Sequence, residues 1–332
     1  MTSLTKGIFI VGAKRTPFGT FGGKLAKSHI TDLQVIASKG ALAAANVKPE
    51  LVDTVVIGNV IPSVAADGGF LARHVLLKSG IPLEKPAFSV NRLCGSGFQS
   101  LINGLQDIST GVAEVALTGG VENMSSCPYI VRNIRFGNVP LGTSPVLEDT
   151  LWLSVLDTYC NLPMALTAEK LGEKFKLTKD EIDEFAFNSQ QRWKAAQDAG
   201  KFKDEIVPVP IKEKKEMVNF EVDEHPRPWT TLDMLKKLPT IFKKDGLVTA
   251  GTASINEAFG AQTLACAKDL KLDMNKLNVN GGAIALGHPL AASGSRIIGH
   301  LVYELKRRNA KYGIGSACIG GGQGIAVMIE NL

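Results

Sequence analysis

No Cys-x-x-Cys pair occurs in this sequence, and its five cysteines, Cys94, Cys127, Cys160, Cys266 and Cys318, are scattered and odd in number. That argues against a zinc ribbon or a disulfide framework and favours a reducing compartment. No apolar run reaches the ~20 residues that span a bilayer. Charge of one sign is scarce too. The formal net charge of +5 fits an anionic small ligand or a basic compartment and is too weak to argue for nucleic acid. HExxH, the P-loop and a complete GxGxxG are all missing. Cys94-Gly95-Ser96-Gly97 supplies half a dinucleotide fingerprint, without the third glycine or an acidic ribose partner, so a nicotinamide-dependent dehydrogenase is disfavoured. There is no arginine-rich transit segment, and the last residues, Glu330-Asn331-Leu332, are not a Ser-Lys-Leu type address.

What is present is small and apolar. The chain has 34 glycines, 45% hydrophobic residues and only 6% aromatics, a composition suited to a globular α/β protein with a sizeable core. Its 332 residues set a prior of about two domains. Residues 7–13 form an apolar run closed by Lys14-Arg15-Thr16-Pro17, which predicts a first strand and a turn. Apolar spacing predicts helices over 31–45 and 71–79 and strands over 52–60, 86–91 and 115–118, the alternation expected of a largely parallel sheet covered on both faces. This N-terminal α/β part is expected to span residues 1–120. Residues 121–245 are more charged and irregular, with helical patterning over 167–175 and 180–200, and read as an inserted lid-like region. From Gly246 to 332 the small-residue texture resumes: a helix over 261–267, a strand-like run over 277–280, a helix over 293–306, and two strands, 312–317 and 325–329, joined by a glycine turn.

Three reactive side chains stand in glycine-rich turns: Cys94, His288 and Cys318. Strand, sharp turn, helix is the geometry expected around Cys94. Gly95 and Gly97 allow the bend, and the free N–H groups of the following helix should help the thiol ionise. A cysteine with a histidine makes an activated nucleophile, and a second cysteine can serve as acid or base on carbon. Val90-Asn91 before the Cys94 turn is echoed by Val279-Asn280 before the His288 turn, as duplicated halves facing one another would require.

The motifs Asn91-Arg92-Leu93-Cys94-Gly95-Ser96-Gly97, Asn256-Glu257-Ala258-Phe259, Asn280-Gly281-Gly282-Ala283-Ile284-Ala285-Leu286-Gly287-His288-Pro289 and Cys318-Ile319-Gly320-Gly321-Gly322-Gln323-Gly324, with Lys14-Arg15-Thr16-Pro17-Phe18-Gly19 near the start, resemble the thiolase family over nearly the whole chain. The resemblance implies a duplicated, layered α/β/α/β/α fold with an inserted loop domain, and cleavage of 3-ketoacyl-CoA in fatty-acid β-oxidation. It makes Cys94 the nucleophile, His288 its base, Cys318 the acid and base on the acetyl carbon, Asn256 the holder of an oxyanion water, and Gly320 an oxyanion N–H donor. Ser254, Met164 and Arg227 would contact coenzyme A, the co-substrate; no permanently bound cofactor and no metal are implied. A homo-oligomer and a mitochondrial location are implied as well. Cys318, where a second histidine would stand, disfavours a Cys-His-His condensing enzyme.

One departure from the family is large. Only Ile255 separates Ser254 from Asn256, where roughly sixty to seventy positions are expected, far more than loop variation. The second half is therefore expected to be incomplete, with exposed sheet edges. An inactive shortened form that binds coenzyme A or a full-length subunit is the alternative reading. Two smaller departures are Ala291 and Gly260, where glycine and alanine respectively are usual in the family.

Overall fold

The computed structural model describes residues 7–137, 139–252 and 259–332. From residue 30, helix and strand alternate: α1 (Ile30–Ala44), β1 (Thr54–Gly58), α2 (Leu71–Lys78), β2 (Ala87–Val90), α3 (Ser96–Ser109) and β3 (Ala116–Gly120). Every residue of β1 is buried, as a β-branched run in the middle of a parallel sheet should be. The three strands are parallel in the order β2-β1-β3. Side-chain alternation along β3 assigns its faces. A Cβ on Gly104 of α3 would sit 2.6 Å from Thr118 Cγ2, and one on Gly119 would sit 2.5 Å from Gln34 Nε2 of α1. Helices α3 and α1 therefore cover opposite faces, as the alternation of elements predicts. Helix α2 stops because Gly80, at φ +83°, takes the left-handed conformation that ends a helix.

The middle of the chain carries α4 (Met164–Lys174), α5 (Lys179–Asp198) and an antiparallel hairpin of β4 (Val209–Glu213) and β5 (Glu216–Phe220). Helix α5 opens on a capping box, in which Thr178 and Glu181 satisfy each other's backbone N–H. The rest comprises α6 (Gly260–Asp269), the single turn α7 (Ala283–Leu286), α8 (Leu290–Arg308) and the antiparallel pair β6 (Tyr312–Ile319) and β7 (Gln323–Glu330). Gly321 and Gly322, both at positive φ, make the turn of that pair.

Two expected strands are not formed. Residues 7–13 belong to no strand, and Phe9 and Val11 are 59% and 65% exposed. An apolar run becomes a strand only if another strand lies beside it, and none does among the described residues. Residues 277–280 are turn. There the Arg192 guanidinium donates to the carbonyls of Leu277 (2.7 Å) and Met274 (3.1 Å), and Asn278 (φ 46°) and Gly281 (φ 83°) reverse the backbone. No described helix is long and apolar enough to cross a membrane, and no cluster of metal-ligating side chains occurs among the described residues.

Candidate active site

The turn between β2 and α3 is built to hold Cys94. Leu93 takes φ 47°, a conformation bulky residues avoid. Its neighbours enforce it. Asn91 Oδ1 accepts from Leu93 N (2.9 Å), Ser96 Oγ donates to Leu93 O (2.6 Å), and Arg92 N donates to Ser96 Oγ (2.9 Å). Asn91 Nδ2 also donates to Val60 O just beyond β1 (3.1 Å), which locks the turn to the sheet. Gly95 lets the Ile319 side chain lie against the turn, since a Cβ there would meet Ile319 Cδ1 at 2.4 Å. That close approach brings the Cys318 strand over the nucleophile turn.

Cys94 and Cys318 are therefore neighbours, the Cys94 charge acting on the Cys318 thiol, and the Gly320 backbone N–H donates to the Cys94 sulfur. Burial pushes Cys94 up to about 11 and Cys318 to about 12. The easier ionisation expected at the start of α3 is not found, because loss of hydration outweighs the Gly320 donor and the helix terminus. Met164 lies in the same place: it packs in the apolar cluster that touches Cys318, and a Cβ on Gly320 would come 3.3 Å from its sulfur.

His288 follows Gly287 (φ 89°) at the end of α7. Its Nδ1 shares a hydrogen bond with Ser293 Oγ, and its buried Nε2 has no hydrogen-bond partner among the described residues. Neither ring nitrogen is thus bonded to the Cys94 sulfur. Burial holds the imidazole well below its ordinary pKa, in the neutral form a base requires. The loop nonetheless arrives beside the nucleophile: Leu290 and Ala291 belong to one apolar cluster with Leu93 and Cys94. The start of α8 meets the start of α3, since a Cβ on Gly97 would lie 2.4 Å from Ala291 O and 2.6 Å from Ser295 N. The buried methyl of Ala291 is accommodated in the cluster with Val60 and Ile61. At Gly260, an alanine Cβ would press on Ile182 Cγ2 at 3.0 Å, so glycine suits this chain's packing.

Arg227 is exposed, with its own N–H donating to Gln190 Oε1 (2.9 Å). No hydrogen bond or ion pair among the described residues joins it to the thiols. Ser254 and Asn256 lie outside the described residues. One group beside the thiols is not evident from motif reading. Glu122, 6% exposed, accepts from Asn59 Nδ2 (3.0 Å), Val60 N (3.1 Å), Ile61 N (3.0 Å) and Ala291 N (3.3 Å). It ties the end of β1 to the His288 loop, and its charge acts on Cys94. Its position just past the carboxyl end of β3 is the available signal, because sites in such sheets gather there.

Residues 8–265 match the thiolase N-terminal domain and residues 228–331 the thiolase C-terminal domain. The chain is a member of the thiolase family. It is 48% identical, over 396 aligned positions, to the human mitochondrial 3-ketoacyl-CoA thiolase, covering 99% of each chain. It is 35% identical to an acetyl-CoA acetyltransferase of Syntrophomonas wolfei, covering 99% of this chain and all of the other. The crystal structure of the human mitochondrial enzyme superposes with a TM-score of 0.97, covering 99% and 100% of the two chains, and its complex with CoA superposes at 0.95. The mixed α/β architecture is thus the thiolase fold. An alignment of 396 positions against 332 residues also leaves at least 64 positions (396 less 332) that the human thiolase fills alone. The large departure seen in the sequence is therefore real in length.

Proposed function

We propose that this thiolase cleaves 3-ketoacyl-CoA with free coenzyme A, yielding acetyl-CoA and a shortened acyl-CoA, within fatty-acid β-oxidation. The observation that carries the reading is the seating of Cys94 at a strained turn, under the Gly320 N–H and beside Cys318.

In the proposed sequence His288 removes the Cys94 proton, and the sulfur adds to the 3-keto carbon. The bond between C2 and C3 then breaks. Its electron pair leaves as the enolate of acetyl-CoA, which takes the Cys318 proton. The thiol of a second coenzyme A gives its proton to Cys318 and attacks the acyl-Cys94 thioester; the Cys94 sulfur leaves, takes back the proton held on His288, and the shortened acyl-CoA is released. The backbone N–H groups of Cys94 and Gly320 would hold the tetrahedral oxyanion; His288 and a water on Asn256 would hold the enolate oxygen. A resting thiol near 11 suits a proton transfer made as the nucleophile attacks rather than a preformed ion pair. Coenzyme A is the co-substrate, with Ser254, Met164 and Arg227 as its contacts, and the human relative's CoA complex supports that reading. The division at 1–120, 121–245 and 246–332, a homo-oligomeric assembly and a mitochondrial location complete the proposal, the last from the mitochondrial relatives.

The test is CoA-dependent loss of acetoacetyl-CoA or long-chain 3-ketoacyl-CoA absorbance by the purified chain. Cys94→Ala should abolish it, and a folded wild-type chain without activity would sink the proposal. In that event a second reading applies. The free Nε2 of His288 and the 64 or more unfilled positions favour a catalytically silent form that binds coenzyme A or pairs with full-length thiolase subunits. Co-purification with such a subunit would mark that case.

A further inference from the structure

A cavity of about 1170 Å³ lies among α1, α3, α8, β3 and β7. It reaches His288 but is lined by neither Cys94 nor Cys318, so it is not where the thiol chemistry would take place. Its size exceeds the ~300–1,000 Å³ usual for small-ligand pockets. Its wall is mostly apolar, with Leu105 and Ile108 of α3, Val302 of α8 and Ile329 of β7, while Arg15, Glu205 and Lys306 add charge to the lining. Two sheet edges open onto it. All of β3 lines the cavity, and among the described residues β3 is bonded to β1 on one side and to no strand on the other. Residues 327–330 of β7 line it too, and among the described residues β7 pairs only with β6. Residues 7–13, which belong to no strand, line the same space. An apolar cleft bordered by free edges presents main-chain donors and acceptors, with side-chain pockets between them, which is what a docking strand needs.

The length comparison names the occupant. The human thiolase fills at least 64 positions that this chain lacks, yet the two scaffolds superpose with a TM-score of 0.97. With the common scaffold in place, the volume those positions take up in the relative stays open here. We propose that the cavity is a docking site for an extended apolar strand of that segment, supplied in trans by another thiolase polypeptide, and that the strand pairs with the outer edge of β3.

Synthetic peptides tiling the segment of the human thiolase that has no counterpart in this chain test the proposal. At about 100 times its dissociation constant, one peptide should raise the melting temperature on the order of 4 °C. It should also slow amide exchange in residues 116–120 by at least about tenfold. A scrambled peptide of the same composition should do neither, and Leu105→Lys, placing a charge on the wall, should weaken binding at least about tenfold. The exchange measurement needs no variant, so a misfolded Leu105→Lys leaves the test intact. Unchanged exchange in residues 116–120 at saturating peptide would overturn the proposal. So would the same protection given by palmitate, which would make the cleft an acyl-chain pocket, or by concentration-dependent self-association, which would make the occupant a second copy.

Discussion

Cys94 keeps its proton at rest because burial pushes its thiol up to about 11 against the pull of the Gly320 N–H. Alkylation by iodoacetamide, followed by peptide mass spectrometry, should therefore accelerate about tenfold per pH unit from pH 8 to 10, since only the thiolate reacts. A plateau below pH 8 would mean that another group already holds the proton. Glu122 is the second residue on which the site turns. Its carboxylate is the common acceptor for Asn59, Val60, Ile61 and Ala291. Glu122→Ala strands those buried donors, and urea unfolding should register a loss of about 3–5 kcal/mol. Burial lifts this carboxyl to about 7 despite its four donors. A raised carboxyl binds its proton more tightly in the folded state, so its contribution to stability declines as pH rises from about 4.5 to 7. Glu122→Gln, which has no charge to bury, should remove that decline.

At the scale of elements, close approach of backbones sets the site. Helices α3 and α8 meet through Gly97, where a Cβ would strike the Ala291 carbonyl oxygen at 2.4 Å. Backbone cannot rotate away as a side chain can, so Gly97→Ala should cost about 1–3 kcal/mol and lower the melting temperature by several degrees. Gly69→Ala is the control: nothing lies within 4 Å of a Cβ there, and its φ is unexceptional, so the melting temperature should hold. The same contrast explains what could be read from the chain alone. Helices α1, α5 and α8 follow from apolar spacing, because each buries one stripe against neighbours its own pattern implies. The Cys94 turn follows from glycines whose absent side chains make room for Ile319 and Ala291. Residues 7–13 have every local mark of a strand and fail to become one, since pairing depends on residues elsewhere. Residues 277–280 fail for a different reason: the α5 side chain Arg192 takes the carbonyls a neighbouring strand would have used. Glu122 has only its place after β3 as a signal in the chain, because its importance comes from four donors that the fold gathers around it.

For the molecule as a whole, one buried ion cluster joins distant parts of the chain. Arg15 pairs with Glu205 (2.8 Å) and Asp223 (2.7 Å), and Glu205 pairs in turn with His300 of α8 (2.7 Å). The extreme N-terminal stretch, the middle region and the C-terminal helix are thereby held at one point. Burial alone would raise the Glu205 carboxyl, but Arg15 and His300 overcome it and hold the group at about 2. A carboxyl depressed in the folded state stabilises the protein above its unfolded value near 4.5, and that stabilisation is lost as pH falls towards 2. His300, His225 and His288 add to the trend. Burial holds each below its ordinary value, so the unfolded chain takes up protons first once pH drops under about 6.5. Glu122 works the other way between about 7 and 4.5 and offsets part of that uptake, and the fall should steepen below 4.5, where the unfolded chain also protonates Glu205, Glu304 and Asp53, each held at about 2 in the fold. The urea midpoint measured at pH 7, 5, 4 and 3 checks this course. Glu205→Gln should make the steep part shallower, because one of its titrating groups is gone. The same substitution should cost about 3–5 kcal/mol at pH 7 by leaving Arg15 with half its compensation. A variant as stable as wild type at pH 7, with an unchanged acid limb, would show that this cluster does not join the three parts of the chain energetically.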